Sequence, residues 1–365
     1  MNPRQVGFDI TPLLENNWTG IPIFTSRLVR QLLADTDVEP VFFAHGKPVR
    51  RDAVTEALSI STGLYLRSKL ERQRLAPHFD IPTLDVALFP SVKQHFGFAP
   101  REASVIHDMS TLVTPEFHTP ANIAHHRRFL QAELATNDVT FAVSQATASD
   151  IALYCDVPEE KLRVIYQYVD WPARFDSEFR NLGRSERNPR MISVLGTIEP
   201  RKNLKVLIAA LDQLIAIDPE VVIVVMGKAG WRLDDALGTR IKSYVDRGNL
   251  VFTGFVSDFQ KYCILRMSRF FVFPSFFEGF GIPVLEAMSV GTPVLASYSS
   301  SIPEVGGDDC LYFDPQSVED LVEKYWALWN MPKHEFEALG EKLRQRSEVF
   351  SGESLYRPVR EWIFS

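Results

Sequence analysis

The run FFEGFGIPVLEAMSVGTPVLAS, residues 276–297, carries two charged residues, Glu278 and Glu286, among apolar residues, glycines and prolines. A carboxylate can accept hydrogen bonds from two neighbouring hydroxyls, so each glutamate suits a vicinal diol. Gly279 and Gly281 let the backbone approach a ligand closely. Pro283 fits the first turn of a helix, which turns the amides of residues 279–282 toward whatever lies in front of it. Such a helix start is an anion site. Glu278 precedes the helix, whereas Glu286 lies about one turn inside it. A carboxylate on each side of an anion site matches ribose, diphosphate and sugar, the parts of a sugar nucleotide. On the spacing alone, a helix cap and a surface glutamate are the better reading.

A second anion site is expected in TIEPRKN, where Glu199, Arg201 and Lys202 lead into a helix. A fixed cation beside a helix N-terminus holds phosphate, although an isolated PRKN also describes an ordinary solvated helix start. Gly279-Phe280-Gly281 lacks the third glycine of a dinucleotide fingerprint, and no Walker loop is present. His107 follows the apolar ASVI and reads either as a satisfied polar residue or as a ligand contact. No serine or cysteine motif accompanies it, so no nucleophilic triad is read. The remaining histidines show no metal spacing. Two cations and the helix amides can neutralise a leaving diphosphate, so neither a catalytic metal nor a cofactor is expected.

The chain that must position these residues alternates apolar runs of strand length with amphipathic helices. MISVLGT, EVVIVVMG, NLVFTGFV, RFFVFPS and TPVLAS are the cleanest runs; VGFDI, VEPVFFAHG, DVALFPS, ASVIHDM and DVTFAVS precede them. This pattern predicts an α/β fold of parallel sheets covered on both faces. At 365 residues the chain is expected to form two Rossmann-like domains facing each other across a cleft. The first is expected over 1–176, a polar linker over 177–190 and the second over 191–350. Ligands of such sheets bind at the carboxyl ends of the strands, which singles out the loops named above.

Composition narrows the class. The 45% hydrophobic and 23% charged content is that of a soluble globular protein. A net charge of −7 argues against nucleic-acid binding. Three scattered cysteines, no signal-like start and no long apolar run lead to an expected cytoplasmic location.

The residues around the two glutamates resemble the retaining GT-B glycosyltransferases of the family 4 (group 1) type, which includes bacterial mannosyltransferases and glycogen-synthase-like enzymes. PSFFEGFGIPVLEAMSVGTPVLAS is similar to the family signature, with its glutamates separated by seven residues. GTIEPRKN, NWTGI, the IHD at 106–108, the VSQAT at 143 and the SIPEV at 301 resemble further landmarks. They follow the family's order over nearly the whole chain.

The resemblance implies a GT-B fold and a set of roles. Lys202 and Arg201 bind the donor diphosphate, Glu278 holds hydroxyls of the transferred sugar, and His107 reaches toward the anomeric centre; these four are the catalytic candidates. Gly279, Phe280, Gly281 and Ile282 offer backbone amides, Glu286 holds the ribose diol, Val256 meets the base, and Gly20 lets its loop approach the diphosphate. Thr197 follows Gly196 where many relatives carry arginine, so either one phosphate cation is missing or Arg201 replaces it. Residues 351–365 are expected to cross back onto the first domain.

The implied reaction moves a sugar from a nucleotide-diphosphate donor, GDP-mannose favoured, to a hydroxyl of a glycan or polyprenyl-diphosphate-linked acceptor. A sugar-nucleotide epimerase and a non-catalytic partner subunit are the alternatives. Residues 47–74 hold seven basic and three acidic residues in an acidic chain. With Tyr65, Leu66 and Leu70 on one helical side, they are expected to meet an anionic membrane surface, and a solvated helix face is an equal reading.

Overall fold

The computed structural model describes residues 3–16, 18–60, 62–73, 83–183, 187–196, 199–227 and 235–365. By its internal contacts the chain divides into two units, one of 1–167 with 351–365, the other of 168–350.

In the first unit, β1 (Arg4–Asp9), β2 (Val38–Ala44), β3 (Lys47–Val49), β4 (Val86–Phe89), β5 (Arg101–Ile106), β6 (Val139–Ala142) and β7 (Leu162–Val164) form a sheet ordered β3-β2-β1-β4-β5-β6-β7. All neighbours are parallel except β2 and β3. That hairpin turns at His45 and Gly46, both at positive φ (47° and 72°), the backbone of a tight two-residue turn. Val6, Phe8, Val86, Leu88 and Phe141 are buried, which is why these strands read as continuous apolar runs.

The C-terminal helix Gly352–Phe364 belongs to this unit. Trp362 is fully buried with its ring edge on Phe141, and its indole N–H donates to Asp138 at 2.8 Å. Arg360 holds Asp35 and Asp37 at 2.8 and 2.6 Å.

In the second unit, β8 (Asn188–Leu195), β9 (Val222–Met226), β10 (Leu250–Gly254), β11 (Ser268–Phe273), β12 (Val294–Ser297) and β13 (Leu311–Phe313) form a wholly parallel sheet ordered β10-β9-β8-β11-β12-β13. This is the doubly wound order, in which the chain reverses direction of travel between its first and fourth strands, here β8 and β11. Helix Leu204–Ile217 packs Leu207, Leu211 and Leu214 against Ile192, Ile223 and Phe270 in the core.

The stretch expected as a linker, 177–190, holds more structure than its polarity announces. Helix Arg174–Asn181 runs into it, burying Phe175 and Phe179 one turn apart against Tyr262. Asn188 opens β8, and residues 184–186 lie outside the description. Arg187 is half-buried there and donates to four acceptors, the carbonyls of Arg266, Ser268 and Gly291 and the hydroxyl of Thr292. Desolvation, aided by the like charge of Arg266, lowers its pKa to about 10.

Among the described residues no helix is long and apolar enough to cross a membrane. The basic segment differs from expectation in one respect. Leu66 is fully buried and therefore belongs to the core, whereas Ile60 and Leu64 are the exposed apolar residues. The cause is the docking of helix Gly63–Gln73 on the loop after β1. The Gly63 N–H donates to Glu15 O at 3.0 Å, and a Cβ at Gly63 would lie 2.2 Å from that oxygen. Arg74 and the side chains of Lys69, Leu70 and Arg72 lie outside the described residues.

Candidate functional site

The loops after β8 and β11 flank the switch point of the second sheet, where ligands of this topology bind. After β8, Pro200–Lys202 makes a single tight turn, and Asn203 at φ 52° redirects the chain into the helix at Leu204. The Phe276 N–H donates to Arg201 O at 2.8 Å, fastening the two loops together.

Between them sits Glu278, 7% exposed. Its carboxylate accepts from Lys202 Nζ at 2.7 Å, Ser275 Oγ at 2.6 Å and Arg201 Nη1 at 3.2 Å. Its carbonyl accepts from Ser300 and Ser301 at 2.6 and 2.9 Å. Burial alone would raise the carboxyl pKa. The charges of Lys202 and Arg201 and the bonds from Lys202 and Ser275 outweigh it, and the pKa is held below the ordinary carboxylate value. Arg201 is further fixed by the Phe277 carbonyl at 2.7 Å and by Glu199 at 3.1 Å.

Next along the chain, Gly281 caps helix Ile282–Ser289 at φ 104°, a conformation that only glycine adopts without strain. Gly279 and Phe280 are buried, the Phe280 ring edge-on to Phe350 at 5.6 Å, so the backbone is what this loop can offer a ligand. Ile282 is half-buried at the first helical position. Glu286, 7% exposed, pairs with Lys261 of helix Asp258–Met267. Val256 is half-buried in the loop that leads into that helix, whose first turn is closed by a reciprocal Ser257–Gln260 cap.

Arg201, Lys202 and Glu278 thus form one cluster, with the 279–282 backbone following directly and Glu286 one turn beyond. Thr197 lies outside the described residues. Ser300 carries no sequence signal of a site, Ser275 carries only its place in PSFFEGFG, and Ser301 only its place at the head of SIPEV. Lys261 and Trp171 gave no sequence signal at all.

Gly20 and His107 belong to the first unit. Gly20 caps helix Ile21–Ala34 at φ 46°, and a Cβ there would meet nothing within 4 Å, so backbone conformation rather than crowding calls for glycine. His107 Nε2 lies 2.8 Å from Pro90 O, which fixes that nitrogen as the donor of a neutral ring, and Phe24 meets the ring edge-on at 4.7 Å. Burial lowers the His107 pKa against the pull of Pro90 and Asp108. At the β1/β4 switch point of this sheet lies an open pocket of about 1000 Å³, lined by Asp9, Glu15, His45, Arg67, Gln94 and His95 among others. Among the described residues no group of three or more His, Cys, Asp or Glu could hold a metal.

Residues 175–346, within the second unit, match the family described as glycosyl transferases group 1. This part of the chain is similar to the group 1 glycosyl transferases. The O-antigen chain mannosyltransferase B of Escherichia coli is 30% identical over 233 residues, 60% of this chain and 59% of that protein. The serotype-specific mannosyltransferase WbdA of Escherichia coli is 32% identical over 228 residues, 60% of this chain and 28% of that protein. The chain therefore spans less than two thirds of either relative. Among solved structures, Anabaena Alr3699/HepE in complex with UDP and glucose superposes with a TM-score of 0.66 at 16% identity over all of both chains. WaaG, a glycosyltransferase involved in lipopolysaccharide biosynthesis, gives 0.64 at 14% identity over 98% of this chain and 99% of its own. The fold is GT-B, with two Rossmann-like units of parallel sheet.

Proposed function

We propose that the chain is a retaining hexosyltransferase that moves mannose from GDP-mannose to a hydroxyl of a glycan or polyprenyl-diphosphate-linked acceptor, in the synthesis of a bacterial surface polysaccharide. The observation that carries the reading is the Lys202–Glu278–Arg201 cluster at the β8/β11 switch point, followed at once by a helix start and then by Glu286. Mannose comes from the names of the two relatives. Uridine is the competing base, because the HepE structure holds UDP.

In this reading Lys202 and the 279–282 backbone hold the diphosphate, and Arg201 shapes the loop around it. Glu278 accepts from hydroxyls of the sugar and Glu286 from the ribose diol. The bond from the anomeric carbon to the phosphate oxygen breaks, and the charge that develops on the phosphate is met by cations already in place. The acceptor oxygen forms its bond on the same face, its proton passing to the leaving phosphate. The first unit supplies the acceptor pocket, whose carboxylates, histidines and amide can bind hydroxyls. His107, neutral by burial, acts as a hydrogen-bonding group rather than as a charge. No metal is required, and turnover is expected to survive excess EDTA.

A thermal-shift panel of GDP-, UDP- and dTDP-sugars tests the donor. A ligand at 100 times its dissociation constant stabilises by about 2.7 kcal/mol. A shift with GDP-mannose is the expected result. A shift with UDP-sugars alone overturns the donor, and no shift at all overturns the reading. Consumption of donor without any acceptor would point to an epimerase.

A further inference from the structure

Lys261 lies 25 residues before Glu286, on a different helix, yet its ammonium donates to the Glu286 carboxylate. It is 15% exposed, and Trp171 supports it from below, the nitrogen standing 5.3 Å from the ring centroid. The same indole donates its N–H to Ser289 Oγ at 2.8 Å, and that hydroxyl donates to the Glu286 carbonyl at 2.8 Å. Trp171 therefore grips Glu286 twice, at the backbone through Ser289 and at the carboxylate through Lys261. The ring is itself held edge-on by Tyr262, the residue after Lys261, at 5.6 Å. The other end of the lysine is equally fixed. Its backbone N–H donates to Ser257 O at 2.8 Å, inside the first turn that the Ser257–Gln260 cap closes. Asp258, 3.6 Å from the ammonium, is 68% exposed and competes weakly with the buried Glu286.

A carboxylate has about four lone-pair sites, so an ammonium donor does not by itself exclude hydroxyls. What the ammonium removes is freedom. A carboxylate on a flexible side chain can meet one hydroxyl in many orientations, but a diol only in the one that serves both oxygens. We infer that Lys261, carried on Trp171, is the positioning residue that sets Glu286 for a cis-diol and thereby makes the site select ribonucleotide donors over their 2′-deoxy counterparts. The inference rests on the proposed role of Glu286. It predicts that Lys261 acts on ground-state binding of a part of the donor that does not react. Its loss should raise the donor KM and leave kcat nearly unchanged.

The test measures dissociation constants of GDP, 2′-deoxy-GDP, UDP and 2′-deoxy-UDP for the full chain by calorimetry, with thermal melting to establish that each variant is folded. The wild type should prefer the ribonucleotide by about 10-fold or more, the weight of a hydrogen bond to a charged group. Glu286→Ala should abolish the preference. Lys261→Met keeps the stem over Trp171 and removes only the charge; the preference should fall to within about 3-fold of unity, with little change for the 2′-deoxy ligand. Lys261→Arg should restore most of it. If Glu286→Ala abolishes the preference while Lys261→Met keeps it, Lys261 is structural and the inference fails alone. If Glu286→Ala keeps the preference, the diol role of Glu286 and the inference fall together.

Discussion

Lys202 and Glu278 stand 2.7 Å apart, 76 positions apart in sequence, and Arg201 closes on the same carboxylate at 3.2 Å. The ammonium proposed to hold the donor diphosphate is thus already neutralised by the group proposed to hold the sugar. Diphosphate must compete with Glu278 for Lys202 unless the sugar engages the carboxylate at the same time. Complete donor can satisfy both demands; a nucleoside diphosphate alone can satisfy only one. Glu278→Ala is therefore expected to bind free nucleoside diphosphate about 10-fold more tightly, as removal of a negative charge near an anion at intermediate dielectric allows. The kcat should fall by about 10²-fold, the weight of one preorganised contact. Unchanged diphosphate affinity in this variant would show that the carboxylate does not oppose the phosphate.

Arg201 and Lys202 are neighbours with different work to do. Arg201 also holds the Phe277 carbonyl and Glu199, whereas among the described residues Lys202 pairs with no carboxylate but Glu278. Truncation of Arg201 leaves a loop carbonyl without its donor, a loss of roughly 1–3 kcal/mol. Arg201→Ala should therefore lower the melting temperature. Lys202→Ala should leave melting nearly unchanged and weaken nucleoside diphosphate binding by about 10-fold or more. The reverse pattern in melting and calorimetry would exchange the two roles.

These differences mark how far the sequence could be read. β8 through β12 were legible because each is an unbroken apolar run, and the strand-end rule then pointed to Lys202 and Glu278. β3 and β13, three residues each, are too short for a pattern, and the turn of β3 uses a His-Gly pair. Helix Arg174–Asn181 escaped because two buried phenylalanines among charged residues look like a polar stretch. Leu66 shared a helical side with Tyr65 on paper, but the docking of Gly63 on Glu15 turned that side inward. The grip of Trp171 and Lys261 on Glu286 depends on packing between remote helices, which no local spacing encodes.

The corrected orientation of the basic segment changes its membrane prediction. Ile60 and Leu64 are 51% and 60% exposed beside Arg67, while Arg50 and Arg51 are partly spent on Asp52 and Glu39. If this face meets anionic lipid, the two apolar residues should contribute most. Ile60→Asp with Leu64→Asp should reduce binding to vesicles rich in anionic lipid by about 10-fold or more, and Arg67→Gln by less, near the 1 kcal/mol of one basic residue. Sedimentation with anionic and neutral vesicles checks this. Equal binding to both, unaffected by the substitutions, would leave the segment as a solvated face.

Glu133 offers a pH-dependent test in the first unit. It is 2% exposed on the inner side of helix Pro120–Thr136, and its Oε1 has no hydrogen-bond partner among the described residues. It lines a pocket of about 100 Å³ with His107, Asp108 and His126. Lys93, the nearby cation, is already committed to Glu102 at 2.6 Å. Burial raises the Glu133 pKa from 4.5 to about 7, against the Ser104 hydroxyl and the Lys93 backbone and charge. A carboxyl whose folded pKa is raised binds its proton more tightly when folded. Its stabilisation is complete below pH 4.5 and is lost as pH rises toward and past 7, a swing of about 3 kcal/mol. His107 and His126, whose pKa values burial lowers, act oppositely, because folding must keep them neutral as pH falls below 6.5. The wild-type profile therefore mixes two slopes, and the variant separates them. Glu133→Gln retains the histidines and removes the titrating carboxyl. Its stability relative to wild type, from urea unfolding, should rise steadily between pH 4.5 and 7.5. A difference independent of pH over that window would show that Glu133 is already ionised in the folded protein and that Lys93 or the pocket supplies its partner.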